Sequence, residues 1–197
     1  MVTTKWMGPA EQLKLQASSE AVHALVYESR TRLANTPMKL LSGGQSGVDR
    51  AVLDAALAQD IDYGGWCPKG GWAEDFPEPP GLLAKYPNLK ETPLAEPAQR
   101  TEWNVRDADA CLILIDAAGL DASAGTQRAG ELAHHYRKPL FTVNLREATN
   151  ADHAKLWLRV QQAKHGGDLK LAIGGPRESE APGIYREALS FIENLLD

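Results

Sequence analysis

The chain is predicted to be an α/β protein, a mostly parallel sheet with helices on both faces, and three observations carry that prediction. Short apolar runs such as Ala110-Cys111-Leu112-Ile113-Leu114-Ile115 are nearly continuous rather than alternating, which is the pattern of strands buried on both sides. Helix-length amphipathic segments separate these runs, as parallel strands require. Glycine-bearing turns follow three of the runs, at Gly43 to Gly47, Gly119 to Thr126 and Gly174 to Ser179. In such sheets ligands bind beyond the carboxyl ends of the strands, so one shared crevice between these turns is expected.

The elements follow in order. A partial apolar face between Pro9 and Leu33 predicts a helix, ended by Asn35-Thr36-Pro37 because the residue before proline avoids helical geometry. Residues 1–37 are therefore expected to form an N-terminal helical extension, and residues 38–197 the ligand-binding domain. Met38 to Ser42 reads as a strand, Val48 to Gln59 as a helix and Ile61 to Trp66 as the next strand. Cys67 to Pro80 has no periodicity, and a loop of that length with tryptophans, a lysine and acids suggests function. A short strand is expected between Tyr86 and Thr92, a helix over Pro97 to Asp107 and a strand over Ala110 to Ile115. Helix Gln127 to Tyr136, strand Pro139 to Asn144, helix His153 to Ala163, strand Leu169 to Ile173 and a closing helix to Leu196 complete the chain.

With 197 residues, 43% hydrophobic and 24% charged, the composition is that of an ordinary globular chain. A net charge of -5 argues against a surface built to neutralise nucleic-acid phosphates, so no nucleic-acid partner is expected. No apolar run approaches membrane-spanning length and no signal-peptide layout opens the sequence, so the expected location is cytoplasmic, away from membranes. Two cysteines, Cys67 and Cys111, fit a reducing compartment, and neither they nor the histidines show metal-ligand spacing, so no metal site is assigned.

Leu40 to Leu57 is the strand, glycine loop and helix order that presents backbone N–H groups to an anion. Gly43, Gly44 and Gly47 allow close approach, and Ser42, Gln45 and Ser46 add side-chain donors. The alternative is a purely structural turn. A second loop, with Ser123, Gly125 and Thr126, strengthens the ligand reading. Neither loop is a P-loop or a dinucleotide fingerprint. Asp49 is either a helix-terminal carboxylate or a ligand contact, and Arg50 either a ligand contact or a solvated charge. Arg100, Glu102, Asn104 and Arg106 put dense polarity on one short helix, where Glu102 and Arg106 can also simply pair. Lys69 and Trp66 beside Cys67 could contact an anion and a ring, respectively, or be loop surface and core.

Ser42-Gly43-Gly44-Gln45-Ser46-Gly47-Val48-Asp49-Arg50, Gly64-Gly65-Trp66-Cys67-Pro68-Lys69-Gly70, Arg100-Thr101-Glu102-Trp103-Asn104-Val105-Arg106-Asp107 and Gly175-Pro176-Arg177-Glu178-Ser179 together resemble the molybdenum carrier family. That family is related to the cytokinin-activating LOG phosphoribohydrolases, and the resemblance runs from about Met38 to the C-terminus. It implies a Rossmann-like fold, a homo-oligomer and a pocket for a phosphorylated pterin or nucleotide-like ligand, with molybdenum cofactor as the ligand of characterised carriers. The cradle would comprise Ser42, Gly43, Gly44, Gln45, Ser46, Gly47, Asp49, Lys69, Arg100, Glu102, Asn104, Arg106, Ser123, Gly125 and Thr126. LOG-type enzymes carry a glutamate soon after their glycine-threonine loop; here Gln127 and Arg128 follow Thr126 and the first acid is Glu131. This departure favours binding over turnover. The alternatives are a nucleotide N-glycoside hydrolase using Asp49 or Glu102 as acid or base, and a nucleotide-sensing module acting on a partner protein.

Overall fold

The computed structural model describes residues 37–120, 123–147 and 150–197; the expected N-terminal helix lies outside them, as do Asp121 and Ala122 of the second loop. Five strands, β1 (Met38–Leu41), β2 (Asp62–Gly64), β5 (Ala110–Ile115), β6 (Leu140–Asn144) and β7 (Leu169–Gly174), form one sheet in the order β2-β1-β7-β5-β6, with every pairing parallel. Two further strands, β3 (Trp66–Cys67) and β4 (Lys90–Glu91), form a separate parallel pair. The expected strand Ile61 to Trp66 is thus broken, because Gly65 adopts φ 122° and turns Trp66 out of the main sheet.

The helices are α1 (Val48–Ala58), α2 (Pro97–Asp107), α3 (Ala124–His135), α4 (Asn150–His165) and α5 (Ile184–Leu196). Strand side chains alternate between the two faces. Leu40, Leu112, Leu114, Leu171 and Ile173 pack with Val48, Val52, Leu158, Ile184 and Ile192 under α1, α4 and α5. Leu41, Cys111 and Ala172 face the other way, against Val105 and Ala108 at the end of α2 and Leu132 and Ala133 of α3. Both faces of the central strands are therefore covered, which is why their sequences are nearly continuous apolar runs.

Local signals set the helix ends. Proline opens α2 at its first turn, where its missing N–H costs nothing. Ser123 caps α3 by accepting the Thr126 N–H, so that helix begins three residues before Gln127, where periodicity alone would start it. In α5 the buried positions Ile184, Ala188, Ile192 and Leu195 recur at helical spacing. The Asp54 carboxylate of α1 accepts from Tyr86 Oη (2.7 Å), Tyr185 Oη (2.9 Å) and Lys85 Nζ (3.0 Å), tying α1 to α5 and to the turn Gly81–Ala84.

The last strand in sequence occupies the middle of the sheet. Counted from β7, the order β2-β1-β7-β5-β6 becomes 3-2-1-4-5, that of a doubly wound sheet. The β1–α1 turn and the β7–α5 turn are consequently neighbours at the carboxyl ends of adjacent strands.

Candidate ligand site at the carboxyl ends of the central strands

Ser42 follows β1 directly. Its Oγ donates to the Asp49 carbonyl (2.8 Å) and accepts the Gly44 N–H (3.3 Å), closing the glycine turn on itself. Gly47 has φ 75°, and a Cβ there would lie 2.4 Å from the Pro176 carbonyl oxygen and 2.8 Å from Arg177 backbone atoms. Val48 N–H donates to that same Pro176 carbonyl (3.2 Å), so the turn leans on the backbone of the β7–α5 loop. Glycine is required there by close approach as well as by φ.

Much of this turn's polarity is engaged within the protein. Gln45 Oε1 accepts the N–H groups of Ser46 (3.0 Å) and Glu74 (2.9 Å). Ser46 Oγ donates to the Glu74 carboxylate and accepts the Glu178 N–H (3.1 Å). Glu74 also accepts from Ser179 N–H (3.3 Å) and Ser179 Oγ (2.6 Å). Burial opposes ionisation of Glu74, but the Ser179 and Ser46 donors prevail and hold its carboxyl below the usual range. The Gln45 and Ser46 side chains expected to face a ligand thus pin the segment Trp72 to Phe76 across the loop. Arg50, weighed as a solvated charge, is instead buried: it forms a fork with Asp75 (2.7 and 2.9 Å), reaches the Gly44 carbonyl (3.1 Å) and lies over the rings of Phe76 (4.7 Å) and Tyr86 (5.6 Å). A cavity of about 570 Å³ beside Gly47 is lined by Ser46, Arg50, Asp75, Glu178 and Tyr185.

On the α2 side, Arg100 Nη1 donates to Asp49 Oδ2 at 2.7 Å. The Asp49 side chain is 6% exposed and that of Arg100 15%. Burial pushes the Asp49 carboxyl above the usual range, against the opposing pull of the Arg100 guanidinium and the Gln45 N–H. Arg100 lies across Gly43, where a Cβ would sit 2.1 Å from Nη1. Around this pair is a crevice of about 50 Å³, lined by Ser42, Gly43, Asp49, Arg100, Asn104 and Gly174. Asn104 is committed to holding β3: its Nδ2 donates to the Trp66 carbonyl and its Oδ1 accepts the Trp66 N–H, both at 2.9 Å.

The other expected residues occupy distinct positions. Glu102 accepts from Tyr136 Oη at 2.6 Å, and this carboxylate raises the Tyr136 hydroxyl pKa. Arg106 forks onto its neighbour Asp107 (2.6 and 3.1 Å) and lies over the Trp103 ring (4.7 Å). Lys69 is exposed in the turn Lys69–Gly71. Ser123 and Thr126 are buried and bonded to one another (2.9 Å), with Gly125 exposed in the first turn of α3. Among the described residues no hydrogen bond joins this loop to Ser42–Gly47. Glu131 is exposed and paired with Arg128 at 3.0 Å.

Sequence reasoning missed Glu74, Asp75 and Pro176 as partners of the glycine turn. Two adjacent acids in the aperiodic loop were the available signal, but nothing local indicates what they meet. Cys67 and Cys111 are both buried, and burial lifts their thiols to about 11. Among the described residues there is no group of three or more His, Cys, Asp or Glu that could hold a metal, and no helix long and apolar enough to cross a membrane.

Residues 40–196 match the family described as the circularly permutated YpsA SLOG family. A crystal structure from Syntrophus aciditrophicus SB, described as "Putative molybdenum carrier protein", is 34% identical, covers 82% of this chain and 96% of its own, and superposes with a TM-score of 0.70. No curated protein matches the chain. The position of β7 is what circular permutation of an alternating strand and helix chain produces. The chain belongs to the circularly permuted YpsA SLOG family, a molybdenum-carrier-like, LOG-related group with a Rossmann-like α/β fold.

Proposed function

We propose that the protein binds and carries a phosphorylated pterin or nucleotide-like molecule, with molybdenum cofactor as the leading candidate. The observation that carries this reading is Arg100. One of its five N–H donors meets Asp49, and no other acceptor for its guanidinium is found among the described residues. It sits where open α/β sheets bind ligands, beyond the ends of β1 and β7. A guanidinium in that position suits phosphate, which it can grip with two parallel hydrogen bonds. The relative from Syntrophus, described as a molybdenum carrier, supports cargo of this class.

The crevice is large enough for the oxygens of an anion, whereas a pterin or nucleotide needs roughly 300 Å³ or more. The cavity beside Gly47 has that volume but shares no lining residue with the Arg100 crevice, so we assign Gly43 and Arg100 to the phosphate alone. The loop Ser123 to Thr126 contributes the N-terminus of α3 as a second donor set. The surface position of Glu131, the first acid after Gly125-Thr126 and paired with Arg128, supports binding over turnover.

Isothermal titration with molybdenum cofactor, nucleoside monophosphates and molybdate tests the reading. Binding of at least one phosphorylated ligand tighter than about 50 µM, lost in Arg100→Ala, is expected. No binding by any of them would sink it. A second reading, nucleotide hydrolysis, draws on Asp49, whose burial raises its carboxyl above the usual range against the pull of Arg100 and so favours an acid/base role. Release of free base from a nucleoside monophosphate, abolished in Asp49→Asn with binding retained, would establish that reading instead. We expect a homo-oligomer, measurable by light scattering.

A further inference from the structure

A cavity of about 360 Å³ lies against the sheet face that carries α2, lined by Lys39, Lys90, Lys170, Trp66 and Asp107. Asp107 is the last residue of α2 and Arg100 lies in its first turns, about 10 Å away along the helix axis. Lys39 shares the face of Leu41 and Lys170 that of Ala172, and the two lysines are direct register partners on the adjacent strands β1 and β7. Like charges so placed repel.

The nearby carboxylates already have partners, one of them Lys39 itself. Asp62 pairs with Lys39 (3.0 Å), and Asp107 is held by Arg106 (2.6 Å) and by the Trp66 indole N–H (2.8 Å). Asp109 Oδ2 accepts the backbone N–H of Lys170 (2.9 Å). Among the described residues no acceptor is found for the ammonium of Lys90 or Lys170, and Lys90 Nζ lies 5.7 Å from the Trp66 ring. Three cations and one carboxylate therefore line this cavity in a chain of net charge -5. Trp66 forms a fixed aromatic wall, held by its indole bond and by edge contact with Trp103 at 4.6 Å.

We propose that this cavity is a second ligand site, separate from the Arg100 crevice, and that it takes an oligophosphate: two or more linked phosphate groups, free or carried on a nucleotide. Linked phosphates can meet ammonium groups on several strands at once and relieve the repulsion between Lys39 and Lys170. A nucleobase, where present, gains the Trp66 wall as a contact surface.

The test is isothermal titration of the full chain with tripolyphosphate and with ADP. Lys90→Ala/Lys170→Ala should weaken tripolyphosphate by at least about tenfold, whereas Lys90→Arg/Lys170→Arg should stay within about threefold. Both lysines are exposed, so the fold should survive, checked by an unchanged melting temperature. Tighter binding of ADP than of tripolyphosphate would assign the site to a nucleotide, and the reverse to the free anion. The proposal is overturned if tripolyphosphate does not bind at millimolar concentration. It is equally overturned if the charge-matched variant Lys155→Ala/Lys164→Ala loses as much affinity as the Lys90/Lys170 variant, since the binding would then be unspecific. Its failure leaves the reading of the Arg100 crevice untouched.

Discussion

Replacing Arg100 by alanine removes the counter-charge from a carboxylate whose side chain is 6% exposed. Breaking a buried ion pair from one side costs roughly 3–5 kcal/mol, because the remaining charge is left desolvated. Asp49 keeps the Gln45 N–H and Arg100 is 15% exposed, so the lower end, about 3 kcal/mol, applies. The loss should depend on pH in a defined direction. The folded-state carboxyl of Asp49 already lies above its ordinary 3.8, so its contribution to stability is fully present below that value and declines as pH rises through the folded-state pKa. Without Arg100 that pKa moves higher still. The deficit of Arg100→Ala against the parent should therefore be greater near pH 7.5 and shrink as the pH falls and Asp49 takes up a proton in both proteins. Urea unfolding at pH 7.5 and 4.5 measures it. Asp49→Asn/Arg100→Ala should recover part of the loss, with a coupling of about 2 kcal/mol. A deficit independent of pH, or a double variant as unstable as the sum of the singles, would refute the reasoning.

Three further outcomes are expected. Gly47→Ala drives a Cβ to 2.4 Å from the Pro176 carbonyl at φ 75°, so it should lower stability by about 2 kcal/mol or more in the same urea assay. Leu171→Ala, at a fully buried position of the middle strand, should cost about 3 kcal/mol, read from the shift in the urea midpoint. With both thiols pushed up to about 11 and buried, only about 0.1% is thiolate at pH 8, so native protein should resist a disulfide thiol reagent that labels two cysteines after unfolding in guanidinium.

Most elements were legible because their signals are local. The run Ala110 to Ile115 and the helix Pro97 to Asp107 lie where apolar pattern and proline placed them. The break at Gly65 was not, since glycine permits φ 122° without announcing it, and the crowding against the Ser42 carbonyl that demands glycine there is tertiary. The central place of β7 was also hidden, because nothing in Leu169 to Gly174 states which strands flank it. At the candidate site, Asp49 and Arg100 were singled out separately. Their contact joins residues 51 positions apart in sequence. The roles of Gln45, Ser46 and Asn104 in pinning loops were not visible, because an amide or hydroxyl reads the same in sequence whether it faces a ligand or a neighbouring backbone.

The central claim is that the protein holds a phosphorylated molecule without converting it. Native mass spectrometry of the full chain, after incubation with molybdenum cofactor and with a panel of nucleoside monophosphates, tests this most directly. A complex with at least one of them at its intact mass, absent in Arg100→Ala, is expected. Free base accumulating in solution with no intact complex, or no complex with any of these molecules, would contradict it.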